Sequence, residues 1–133
     1  MSFKTINPKS LGRPHGYSNG LLTTPGARLL FIAGQIGWDE GQRLVGEDFV
    51  EQFERALRNL LAVVEEAGGD PGGVARLVVY VTDKREYAAR TVEIGERWRA
   101  LMGRHFPAMT LVEVKSLLED GAKVEIEGIA VLQ

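Results

Sequence analysis

The chain has 133 residues, a length suited to one domain that buries roughly two-thirds of the surface its unfolded form exposes. Its 44% hydrophobic and 26% charged residues match ordinary globular composition, and a formal charge of −2, with both signs mixed along the chain, offers no broad attraction for a phosphate backbone. Cysteine is absent, which excludes a thiol nucleophile, a disulfide framework and a thiolate metal site. The stretch 1–6 carries no apolar signal core and no apolar run reaches membrane-spanning length, so the reading is a cytoplasmic protein with neither nucleic acid nor membrane as partner.

In chain order, Leu29-Leu30-Phe31-Ile32-Ala33 is a short apolar run between Gly26 and Gly34, as in a buried strand. The preceding segment 21–24 is predicted to pair with it as a hairpin through the Pro25-Gly26 turn. Residues 37–47, with Gly37, Asp39, Gly41 and Gly46, read as a loop. Val50, Phe53, Leu57, Leu60, Val64 and Ala67 then recur at three- and four-residue steps, one face of a helix. Asp48 is its expected N-cap, with Glu51 three residues on as in a capping box, while Glu51–Arg55 and Glu54–Arg58 suit the solvated side. Gly68 and Gly69 are expected to end it with a left-handed cap.

Residues 77–81 form a β-branched strand pattern. A second amphipathic helix is predicted from near Glu86, with Tyr87, Thr91, Ile94, Trp98 and Leu101 inward and Arg97, Arg99 and Arg104 on its solvated side and end. Two closing strands follow, at 109–114 and 123–132. One sheet with two helices on one face is the simplest packing of this order. Along the last strand Val124, Ile126, Gly128 and Ala130 share one side and Glu125, Glu127, Ile129 and Val131 the other. Neither side is plainly solvated, so the second is expected to meet another subunit.

Chemistry has few places to sit. His15 and His105 are far apart in sequence and lack paired-histidine spacing, so no metal is expected. Ser18 and Ser116 have no nucleophile-elbow setting. The glycine-rich 68–73 follows a helix and lacks the lysine ending of a phosphate loop, so it reads as a helix stop and turn. The carboxylates of Glu125 and Glu127 lie in an otherwise apolar strand, where desolvation demands a partner or a purpose; Glu113 has the same ambiguity.

Together these segments resemble the Rid family, the RidA/YjgF-like enamine/imine deaminases, over about residues 15–132. The resemblance lies in Gly16-Tyr17-Ser18-Asn19-Gly20, Phe31-Ile32-Ala33-Gly34-Gln35-Ile36, the helix from Glu51-Gln52 to Glu66-Ala67-Gly68, Val79-Tyr80-Val81-Thr82-Asp83, Phe106-Pro107-Ala108 and Val124-Glu125-Ile126-Glu127-Gly128-Ile129-Ala130. It implies an α+β, chorismate-mutase-like fold and a homotrimer whose sheets form a central barrel with small-molecule clefts between neighbours. It also implies hydrolysis of enamines or imines to a keto acid and ammonia without a cofactor, with Glu125 positioning water, Tyr17 lining the cleft and Gly34 at its wall. In the family an arginine after proline-alanine grips the substrate carboxylate. Here that position is Met109, followed by Thr110; methionine cannot replace the charge. The resemblance therefore leaves three readings. One is an enzyme whose substrate is not a simple 2-imino acid, and the second is a ligand-binding trimer without turnover. The third is an RNA-directed endoribonuclease or translation inhibitor, against which the charge balance weighs. The spacing of Arg13 and Arg104 does not fix either near Met109 as a substitute cation, and surface positions are expected for both.

Overall fold

The computed structural model describes residues 3–133; Met1 and Ser2, part of the stretch read for a signal core, lie outside the described residues. Among the described residues no helix is long and apolar enough to cross a membrane.

The apolar stripe in the first half becomes helix α1 (Phe49–Glu66), and Val50, Phe53, Leu57, Leu60 and Val64 are all buried. Phe49, Gln52 and Ala56 are buried too, widening the stripe to the breadth a core-facing helix needs. Asp48 caps it by accepting the Glu51 N–H at 3.1 Å, and Gly68, at φ +89°, closes the other end as expected.

The main sheet has the order β3-β6-β4-β5, with β3 at Arg28–Ile36, β4 at Val74–Val81, β5 at Ala108–Glu113 and β6 at Val124–Leu132. Only β4 and β5 run parallel. A parallel pair cannot be joined by a tight turn, and the crossover is made by α2 (Lys84–Ala89) and α3 (Thr91–Met102). Leu77, Val79 and Val81 of β4 and Val124, Ile126 and Ala130 of β6 enter one core with α1 and with Ile94, Trp98 and Met102 of α3. The alternation expected for the last strand therefore holds on its inner side.

Two expectations are corrected. The segment at β2 (Gly20–Leu22) does not pair with β3. It forms a separate two-stranded sheet with β1 (Lys4–Ile6), Ile6 opposite Gly20. A Pro-Gly turn sets a change of direction but not the partner, and every residue of β1 is exposed, so no burial pattern announced it. The second helix is also two helices, broken at Arg90 (φ −124°, ψ 25°). No glycine or proline marks the break. The Arg90 side chain instead reaches Asp48 Oδ1 at 3.0 Å and Glu93 at 2.6 and 2.7 Å, tying the break to the first turn of α1.

The hydrogen bond from Arg90, then that from the Glu51 N–H, holds the Asp48 carboxyl below its ordinary value of 3.8. The stabilisation linked to a depressed carboxyl is present above its unfolded pKa and is lost as pH falls through the folded one. Asp48→Asn is therefore expected to flatten the fall in urea-unfolding stability below about pH 4. Equal acid slopes in variant and wild type would show that Asp48 is not linked to folding.

Candidate functional site

The segment before β2 is stitched to the start of β5. The Ser18 N–H donates to Pro107 O at 3.1 Å and Ser18 Oγ donates to Phe106 O at 2.7 Å, with Ser18 in a parallel bridge to Ala108. The buried serine is thus structural, and its bonds bring Tyr17 beside Phe106 and Met109. These three line a cleft of about 520 Å³ between α3, the end of α2 and the edge strand β5.

The walls of the cleft are apolar: Phe53, Val79, Ile94, Trp98 and Leu111 join Phe106 and Met109. Met109 stands opposite Leu77 in the β4–β5 register, which sends its side chain to the helix-covered face. Polar groups at the cleft are few, chiefly His15, Tyr17, Tyr87, Thr91 and Arg99. Burial raises the Tyr87 phenol above its ordinary value, in keeping with the low polarity of the space. An apolar pocket with few polar groups is the usual form of a small-molecule site.

The other residues implied by the resemblance lie across the sheet. Thr110 stands opposite Val78, and Val78 opposite Glu127, so Thr110 is exposed on the outer face. Glu125 is there as well, opposite Tyr80. Its carboxylate rests on Gly34, at the irregularity of β3: a Cβ on Gly34 would lie 2.1 Å from Glu125 Oε2. Any side chain at position 34 would displace the carboxylate, so the glycine is needed for close approach. Glu127 accepts the Tyr80 hydroxyl, and this bond, ahead of desolvation and the two glutamate charges, raises the Tyr80 pKa. Within one chain, then, Tyr17 and Met109 share a cleft, whereas Gly34, Thr110 and Glu125 are on the opposite face.

The outer face carries exposed apolar residues: Phe31 is 71% exposed, Leu29 57% and Val112 39%. Val131, expected on this side, is buried within the chain.

Arg13, Arg99 and Arg104 are exposed, as expected of surface arginines. Arg13 and Arg104 line a second, adjoining cavity of about 570 Å³ that shares Tyr17 and Phe106 with the first. Arg97 is not a free surface charge but pairs with Glu54 of α1. Arg99, exposed as expected, also lines the Met109 cleft. The sequence reading missed it because the stripe at 87, 91, 94 and 98 marks the core face, and cleft residues lie at the margin of that stripe. His105 is also a structural group, its Nε2 at 2.6 Å from Val74 O and its ring stacked on Phe3.

The Endoribonuclease L-PSP family model matches residues 9–132. A 2-iminobutanoate/2-iminopropanoate deaminase of Salmonella typhimurium is 35% identical over 106 residues, covering 77% of this chain and 79% of its own. Protein DfrA of Myxococcus xanthus is 36% identical over 129 residues, covering 93% and 88%. Among solved structures, the Rid-family protein YyfB of Yersinia pestis, described as of unknown function, superposes with a TM-score of 0.86 at 32% identity over 99% of this chain and 100% of its own. The YjgF gene product of E. coli gives 0.69 at 31% identity over 98% and 99%. The chain belongs to the Rid family, the YjgF-like proteins.

Proposed function

We propose that this protein binds a small metabolite with a substantial apolar portion in the Tyr17–Met109 cleft, at the boundary between subunits of a homotrimer. It acts there on an enamine, imine or related substrate other than a simple 2-imino acid. The observation that carries this reading is Met109 itself. Where the family's deaminases grip a carboxylate, this chain lines an apolar space with a thioether.

The division of the site between the two faces of the sheet supports a shared cleft. A neighbour that covers Leu29, Phe31 and Val112 with its own copy of the cleft brings Glu125 and Gly34 of one subunit toward Tyr17 and Met109 of the next. There Glu125 serves as the general base for water, and Tyr17 borders the ligand. The exposed apolar area of the outer face favours such burial.

Two measurements test this. Light scattering is expected to give three times the 14.6 kDa chain mass, and a monomer would remove the shared cleft. In the second, an amino-acid oxidase generates 2-iminopropionate, which semicarbazide traps, and the purified protein competes with the trap. The protein is expected to leave the trapping rate unchanged. Faster imine loss would show that the simple 2-imino acid is a substrate after all. Once a ligand is known, Glu125→Ala separates an enzyme from a binding protein: turnover lost with binding retained is expected, and unchanged turnover would sink the role of Glu125.

A further inference from the structure

The cleft holds one cation whose presence the family resemblance does not account for. Three arginines of the α2–α3 region lie close in sequence. Arg90 is bound to Asp48 and Glu93, and Arg97 to Glu54. The guanidinium of Arg99 has no ion pair or hydrogen bond to any described residue, although Glu96 stands three positions before it, a spacing at which helical ion pairs form. The residue is exposed, and its side chain runs along the helix surface. Helical side chains lean toward the N-terminus, and Arg99 lies over Gly95 one turn earlier, so that a Cβ on Gly95 would be 3.6 Å from Arg99 Nη1.

Gly95 itself has no backbone reason to be glycine. It sits inside α3, outside the positive-φ positions, where glycine is among the least favoured residues. Alanine would meet its neighbours only at ordinary contact distance, so close packing does not demand glycine either. Both Gly95 and Arg99 line the cleft. The missing side chain leaves width in the wall just where the unpaired guanidinium lies.

We propose that Arg99 is a specificity-determining residue that binds the anionic end of an amphipathic carboxylate whose apolar body lies against Ile94, Trp98 and Met109. This rests on the cleft reading above and adds the ligand's charge and its orientation. The guanidinium comes from α3 rather than from β5, so the carboxylate is held on the helix side of the cleft and the apolar body extends toward the strand.

The test uses the full chain and two probes of equal shape, 3-phenylpropionate and its neutral amide 3-phenylpropionamide. Binding is followed by the NMR shift of the Trp98 indole N–H. The carboxylate is expected to bind about tenfold more tightly than the amide, the scale of one charge-assisted hydrogen bond. Arg99→Gln is expected to abolish that preference by weakening the carboxylate alone. Equal binding of both probes to wild type would overturn the proposal while leaving the apolar cleft intact. So would a preference that survives Arg99→Gln but is lost in Arg104→Gln, which would move the anion site to the adjoining cavity. If neither probe shifts Trp98, the cleft reading fails together with the proposal. Circular dichroism of Arg99→Gln confirms that α3 remains folded, and the amide affinity serves as the internal control for the shape of the cleft.

Discussion

In the imine-trapping assay, Met109→Arg is expected to hydrolyse 2-iminopropionate where the wild type does not. A guanidinium at this position offers two parallel hydrogen bonds to a carboxylate. A desolvated contact of that kind is worth about 2–5 kcal/mol, so a gain of about two orders of magnitude or more in imine loss is expected. The substitution is tolerable because Met109 is only half-buried on the edge strand β5, and a long side chain can keep its charged head at the cleft mouth. The gain depends on the remaining machinery being sound, so adding Glu125→Ala should remove it. If Met109→Arg stays inactive while folded and in the same oligomeric state as the wild type, the cleft was not arrested for want of this charge, and the deaminase reading of the site is wrong.

The second large effect concerns Gln52, fully buried on α1. Its Nε2 donates to Gly46 O at 2.8 Å and to Gly121 O at 3.1 Å, while its Oε1 accepts the Lys123 N–H at 2.8 Å. One amide thus satisfies backbone groups from two loops, the second of which leads into β6 and Glu125. Gln52→Ala leaves these groups without partners in a dry place, at about 1–3 kcal/mol for each that water cannot reach. A loss of about 3–4 kcal/mol in urea-unfolding stability is expected, a large share of what a domain of this size possesses. Gln52→Glu should also destabilise, because a carboxylate oxygen would face two carbonyls. A loss below about 1 kcal/mol for Gln52→Ala would mean that water replaces the amide.

Gln52 also shows what a pattern conceals. The spacing of residues 50, 53, 57, 60 and 64 locates the helix and its core face, but that stripe does not include Gln52. Its burial depends on two loops that arrive from residues 46 and 121, and no local signal announces such an arrival. Asp48 was legible because its partner is three residues away. Arg90 was not, because one of its partners is 42 residues away and no glycine or proline marks the break it accompanies.

The site divides in the same way. That Met109 follows Pro107-Ala108 was legible in the sequence, and so was the side of the last strand that Glu125 shares with Glu127 and Ile129. That Tyr17 would sit beside Met109 depended on Ser18 bridging to Phe106 and Pro107, a contact across 88 residues. That Arg99 turns toward the cleft depended on the position of α3 against β5.

By itself the sequence determined the main-sheet strands, the capped first helix, the inner face of β6 and the family, because each is written in spacings of a few residues or in ordered motifs. Tertiary structure alone decided the partner of β2, the break at Arg90, the burial of Gln52, and the separation of Tyr17 and Met109 from Glu125 and Gly34. These are set by which distant segments meet, and periodicity fixes the direction of a side chain relative to its own element but not what stands opposite it.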